Sequence, residues 1–394
     1  MRRDRRSARS RPGTPWLAEH VRTVIAADTL VTGSRVLSPG YVTIDGRTIS
    51  AVSDVAPDRV DVWTAVLVPG FVDIHTHGGG GATVVDGDQE AVATFASTHR
   101  RHGTTTICAS LVSAHPKPLL HGVAALAELV DDGLIAGTHL EGPWISPAMK
   151  GAHDPTALRP PSPAEVDAVV AAARGTVHMV TLAPELEHGS NAVRRFADAG
   201  VLVAIGHTDA DWTQTRMAID DGCTVATHLF NQMHPIHHRQ PGPVPALVAD
   251  PRMHLELIAD GIHVHPAVLA MVRRMVPPER VVLVTDAMAA TGQADGHYRL
   301  GDLPVTVVDG VARLADSGAL AGSTLTMDRA FALVVHECGF SLSAAVQAAS
   351  VNPARLLGRT DIGAIEAGRD GDLVALDRDL VRQRVWHKGA VVAG

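Results

Sequence analysis

His75 and His77 close an apolar run in the stretch FVDIHTHGGGG, residues 71–81. Alternate residues of an extended strand point to the same side, so both imidazoles can reach one point. An imidazole nitrogen serves as a metal ligand or as a hydrogen-bonding group, and the pair alone leaves both uses open. Further donors decide between them, provided a fold brings those donors together. Candidates recur where other apolar runs end: Glu141 in HLEGPW, His207 in GHTDA, His228 in THLFN, Asp260 and His263 in ADGIHVH, and Asp286 in VTDA. Nitrogen with carboxylate oxygen suits Zn2+ or Fe2+, and a carboxylate can bridge two ions, so one or two divalent metals per chain are expected. The chain carries 22 histidines, and His99, His102, His115 and His121 lack this setting; they read as surface or hydrogen-bonded residues. The four glycines at 78–81 lack the Lys-Ser/Thr of a phosphate loop and read as backbone that passes close to a metal site.

Convergence of these side chains requires particular elements. Eight apolar runs can be counted: VPGFVDIH, GTTTICASLV, GLIAGTHLEG, VHMVTLAPE, GVLVAIGHT, CTVATHLFN, HLELIADG and RVVLVTDA. Helix-like segments alternate with them, among them PAEVDAVVAAA and SNAVRRFADAG, the latter with Ser190 as its expected N-cap and Gly200 at its close. Eight βα units predict an α/β fold, a (β/α)8 barrel whose chemistry sits at the C-terminal ends of the strands. Residues 21–68 and 357–394 instead show short β-like pieces and turns, with a hairpin signal at Asp45-Gly46. Both chain ends therefore predict one small β-sandwich domain flanking a barrel at 69–356. Residues 1–20, with six arginines among the first eleven, read as a disordered basic extension or an early start codon; without an apolar segment they do not form a signal peptide.

Bulk properties narrow the function. The 394 residues are 46% apolar, enough for a large core, and no run of about 18 apolar residues predicts a membrane span. A net charge of -8 argues against general nucleic-acid binding. Three widely spaced cysteines, Cys108, Cys223 and Cys338, fit a reducing cytoplasm better than a disulfide framework.

The stretches PGFVDIHTHGGGG, HLEGPW, KGAH, GHTDA, THLFNQM, ADGIHVHP, VTDAM and LAGSTLTM resemble, in order and over nearly the whole chain after residue 20, the N-acetylglucosamine-6-phosphate deacetylases of the amidohydrolase superfamily. HLEGP is the more telling element, because a glutamate follows the third run where many relatives place a modified lysine. The resemblance implies a barrel with a β-sandwich, a homodimer, and hydrolysis of the N-acetyl group of a phosphorylated amino sugar, in sugar catabolism or cell-wall recycling. It also implies Glu141, His207 and His228 as ligands of a primary metal, with His75, His77 and Asp286 at a second. Substrate contacts are implied for Ala152 and His153 of KGAH, for Asn231 and the Gln232 backbone, and for Leu320, Ala321 and Gly322. Arg239 is implied to reach the phosphate across the dimer interface. Gln232 stands where relatives often have a small residue and Trp144 where phenylalanine is frequent, and both bear on the shape of the sugar pocket. Chemically, Asp286 is expected to act as general base and acid, and His263 to help polarise the acetyl carbonyl. Rival readings are a deacetylase for N-acetylgalactosamine 6-phosphate or another N-acyl substrate, and a non-catalytic barrel that serves as a binding module.

Overall fold

The structure is a computed structural model and describes residues 22–85 and 87–393. The expectation for residues 1–20, and Val21, lie outside them.

All eight apolar runs are barrel strands: β1 (Phe71–Asp73), β2 (Thr104–Leu111), β3 (Gly137–Glu141), β4 (Val177–Leu182), β5 (Leu202–Ile205), β6 (Cys223–Ala226), β7 (His254–Ile258) and β8 (Val281–Val284). Each is hydrogen-bonded in parallel to the next. Closure between first and last comes just beyond the strands. There Asp286 N donates to His75 O at 2.9 Å, and Thr76 bridges Ala287 in parallel. Side chains on both strand faces are covered, which is why these segments read as unbroken apolar runs rather than as alternation.

Helices separate most of the strands: α1 (Gln89–Arg101), α2 (Pro116–Asp131), α3 (Pro163–Ala173), α4 (Gly189–Asp198) and α5 (Trp212–Asp221) follow β1 to β5, α6 (Val244–Ala249) and α7 (Pro266–Met275) follow β6 and β7. The start of α3 follows its sequence, with Ser162 Oγ accepting from Glu165 N. Helix α4 departs from expectation. Its N-cap is His188, in a left-handed conformation, and Ser190 instead donates its hydroxyl to Asp221 on α5 at 2.5 Å. A side-chain acceptor one helix away outcompetes the local cap.

The two chain ends build one hydrogen-bonded sheet. Val62–Pro69 is its seam, parallel to Arg22–Val31 on one side and antiparallel to Leu373–Leu376 on the other. Gly40–Asp45 and Thr48–Ser53 extend it one way, Arg382–His387 and Ala390–Val391 the other. In the hairpin, Gly46 takes the first turn position at φ +58°, and Asp45 pairs with Thr48. This sheet has its own core, around Ile25, Leu30, Ile44, Leu67 and Trp386, separate from the barrel's. A three-stranded antiparallel sheet, Gly296–Leu300, Leu303–Val308 and Val311–Leu314, follows β8; its core includes Ala152, Met288 and Ala321. Among the described residues no helix is long and apolar enough to cross a membrane.

Candidate active site

One spacing recurs around the mouth of the barrel. His75, His207, His228, Asp260 and Asp286 each lie two residues beyond the end of β1, β5, β6, β7 and β8, and Glu141 is the last residue of β3. Residue i+2 keeps the inward direction of the strand's last inward residue, so each of these side chains enters the mouth. Three of them need a left-handed backbone to do so: His207 at φ +48°, His228 at φ +26° and Asp286 at φ +49°. Such conformations are uncommon for any residue but glycine, though less so for histidine and aspartate, and concentrate at functional sites.

The donors form two sets that share Glu141. His75, His77, Glu141 and Asp286 make one; Glu141, His207 and His228 make the other. In the first, His77 Nε2 lies 3.1 Å from both Glu141 Oε2 and Asp286 Oδ1, and 3.2 Å from His75 Nε2. In the second, Glu141 Oε1 lies 3.1 Å from His207 Nε2 and 3.0 Å from His228 Nε2, and those two nitrogens are 3.0 Å apart. All are buried.

Hydrogen bonds on the far side of the rings decide what this arrangement accepts. His77 Nδ1 is 3.0 Å from Ser110 O, and His207 Nδ1 is 2.8 Å from Met149 O. A carbonyl only accepts, so each Nδ1 carries the proton and each neutral ring turns an Nε2 lone pair inward. His75 Nδ1 likewise faces a carboxylate, Glu256, so the Nε2 lone pairs of His75 and His77 meet 3.2 Å apart beside carboxylate oxygens and call for a cation between them. Without a metal that cation is a proton. Burial opposes a charged His77, yet Asp286 and Glu141 outweigh it and lift the imidazole to about 9. His75 is raised well above its ordinary value against the same burial, by Glu141, Glu256 and Asp286. Burial would raise Glu141 and Asp286, but the surrounding histidines hold both carboxyls below the usual range. Buried nitrogen and oxygen donors with this second layer of hydrogen bonds fit a divalent metal site.

An open cleft leads to the donors. Most expected contact residues line it: Ala152, His153, Asn231, Gln232, His263, Leu320 and Gly322. His153 has a second bond beside its place in the cleft. Ser113 N donates to its Nδ1 at 3.2 Å, so the proton sits on Nε2, 3.4 Å from Glu141 Oε2. Burial pushes this imidazole down to about 4, which keeps it neutral. His263 is the opposite case: burial disfavours its charge, but Asp260, at 2.7 Å from Nδ1, raises it above its ordinary value. Gly322 could hardly be another residue, since a Cβ there would stand 2.9 Å from Asp286 O and its φ is +60°.

Three expected residues lie elsewhere. Ala321 is fully buried in the core of the three-stranded sheet, its N–H donating to Ala312 O at 3.1 Å. Trp144 packs at a tilt against Phe196, donates to Glu165 at 3.2 Å and is not among the residues lining the cleft. Arg239 is exposed in the loop after β6, where it lines a separate groove with Asp211, Trp212 and His237. The glycines at 78–81 offer no phosphate nest, because Gly78, Gly80 and Gly81 donate their N–H groups to the carbonyls of Ala287, Thr291 and Ala289.

Sequence reasoning missed several contributors. Glu256 on β7 holds His75 Nδ1 at 3.1 Å. His139 on β3 packs edge-on against His75, with its nitrogens on Ser110 and Thr181 at 3.0 and 2.9 Å. Leu300 reaches the cleft from the three-stranded sheet. The first two stand inside apolar runs rather than at their ends; a lone acid within HLELI was the available signal.

Comparison with known proteins places this geometry. The model of the amidohydrolase family matches residues 66–392. An N-acetylgalactosamine-6-phosphate deacetylase of Escherichia coli O157:H7 is 37% identical over 94% of this chain and 99% of its own. An N-acetylglucosamine-6-phosphate deacetylase of Bacillus subtilis is 33% identical over 89% and 92%. Among solved structures, a variant N-acetyl-D-glucosamine-6-phosphate deacetylase of Mycobacterium smegmatis, in complex with N-acetyl-D-glucosamine 6-phosphate, superposes with a TM-score of 0.92 at 47% identity, over 95% of this chain and all of that one. With a barrel whose strand ends converge on paired histidines and a shared glutamate, the chain belongs to the amidohydrolase family.

Proposed function

We propose that the chain hydrolyses the N-acetyl group of N-acetyl-D-glucosamine 6-phosphate to D-glucosamine 6-phosphate and acetate. The observation that carries this reading is the pair of buried donor sets joined by Glu141 at the floor of an open cleft. Relatives named for this reaction support it over most of the chain. Residues 69–356 form the catalytic unit, with residues 21–68 and 357–394 as the β-domain.

An amide is a poor electrophile, and its amine is a poor leaving group. His75, His77, Glu141 and Asp286, and Glu141, His207 and His228, would hold one or two divalent metals, which would supply Lewis acidity and lower the pKa of a water toward about 7; the donor set favours Zn2+ or Fe2+. Asp286, held ionised by its histidine neighbours, takes the proton of the attacking water and returns it to the sugar nitrogen as the C–N bond breaks. His263, whose imidazole Asp260 raises above its ordinary value against burial, faces the cleft and stabilises negative charge on the acetyl oxygen. Ala152, His153, Asn231, Gln232, Leu320 and Gly322 surround the sugar, with Ala321 holding the last of these segments in place. Arg239 binds phosphate from a second subunit of a homodimer, and the enzyme works in the cytoplasm.

The test combines metal content and acetate release on one purified sample, with N-acetylglucosamine 6-phosphate as substrate. Chelator-sensitive release with one or two metals per chain supports the reading. Bound metal without release redirects the search to other N-acyl substrates, and no metal after reconstitution overturns the reading. A second reading is favoured by the galactosamine-acting relative at 37% identity: a substrate panel including N-acetylgalactosamine 6-phosphate separates the two.

A further inference from the structure

Glu256 is a fully buried carboxylate in the middle of β7, between Leu255 and Leu257. A buried acid is costly unless its surroundings repay the cost. Its Oε2 lies 3.1 Å from Nδ1 of His75 and accepts the backbone N–H of His228 at 3.2 Å. Its Oε1 is buried with no partner among the described residues. The first contact reaches one donor set and the second reaches the other.

We propose that Glu256 is a positioning residue that commits the centre to two metal ions rather than one. The inference rests on the metal-dependent reading above. Two physical points carry it. The first is orientation: a carboxylate only accepts, so the bond to His75 puts the proton on Nδ1 and turns the Nε2 lone pair toward His77, Glu141 and Asp286. His77 and His207 have neutral carbonyls in this place, whereas His75 has an anion. The anion makes its imidazole the more basic ligand. The second is charge. Two divalent ions bring four positive charges to a cage whose own carboxylates, Glu141 and Asp286, bring two negative ones. Glu256 adds a third within one ring's width, without occupying a coordination position. The set made by Glu141, His207 and His228 needs less, because Glu256 meets only the backbone N–H of His228 there, whereas in the other set it holds the His75 ring itself.

The experiment strips the protein with chelator, then titrates Zn2+ or Fe2+ into the parent protein, Glu256→Leu and Glu256→Gln, counting bound ions per chain by mass spectrometry. Glutamine keeps an acceptor oxygen for His75 and His228 but not the charge. The parent is expected to bind two ions and Glu256→Leu one. Glu256→Gln is expected to bind two, the second roughly 10-fold more weakly, at the low end of what such outer contacts contribute. Two ions in Glu256→Leu at parental affinity overturn the proposal, as does equal loss of both ions in both variants, which is the mark of a merely structural residue. Should Glu256→Leu fail to fold, Glu256→Gln decides: parental affinity for the second ion overturns the role of the charge. One ion in the parent overturns the inference and leaves the metal reading standing; none overturns the metal reading itself.

Discussion

On the proposed reading Asp286 has two duties at one carboxylate: it lies 3.1 Å from His77 in the metal-donor set, and it moves the proton. Asp286→Asn keeps the shape and removes the basicity. It is expected to lower kcat by roughly 10²–10⁴-fold, the range for loss of a positioned acid-base group, in an acetate-release assay. Near-normal turnover would mean that another group moves the proton. The histidines make a second prediction, about the metal-stripped protein. His77 titrates near 9 in the fold against 6.5 ordinarily. Its folded value is the higher, so its contribution to stability is complete below about pH 6.5 and disappears as pH rises through about 9. Glu141 and Asp286 are shifted down, so theirs is lost instead as pH falls into the acid range. Thermal melts should therefore fall between pH 6.5 and 9 in stripped protein, and much less in metal-loaded protein, where the ion replaces the proton. At this scale the sequence was legible where a polar residue ended an apolar run. Glu256 and His139 were not, because their roles depend on which strand lies beside which, and spacing along one strand does not carry that.

The barrel strands were the most legible elements, since each is an unbroken apolar run bounded by turns. Ser190 was misjudged because a cap is a competition, and Asp221 of the neighbouring helix won it. The sheet at residues 296–314 went unpredicted: its strands alternate buried and exposed residues over only four to six positions, too short a signal beside the longer runs. The loop after β6 carries its own prediction. It holds Arg239 at the surface, outside the cleft lining of its own chain, which accords with the proposal that it serves a second subunit's phosphate site. Arg239→Ala is expected to raise KM for N-acetylglucosamine 6-phosphate by about tenfold, as loss of a charge-assisted bond does, and to spare unphosphorylated N-acetylglucosamine. Equal effects on both sugars would remove Arg239 from phosphate binding.

The whole molecule is tied together by its ends. Leu373–Leu376 pairs with Val62–Pro69, which pairs in turn with Arg22–Val31, so the β-domain is built from segments on both sides of the barrel in sequence. Trp386, 1% exposed, comes from the last part of the chain and packs into the core built by the first. Trp386→Ala is expected to cost about 3–5 kcal/mol, read as a lower denaturant midpoint with little change in kcat for the protein that remains folded. A matching fall in kcat would mean that the β-domain reaches into the chemistry.

The left-handed backbone at His207, His228 and Asp286 has a consequence for inheritance. Histidine and aspartate stand there because of what their side chains do, and the chain would rest more easily with glycine or asparagine at each position. Mutation therefore pushes two ways: a copy released from selection for its chemistry gains robustness as it loses its ligands. Inactive descendants of such a gene would be recognisable by small or amide residues at these three positions in an otherwise intact barrel, and they would withstand heat better than the metal-stripped ancestor.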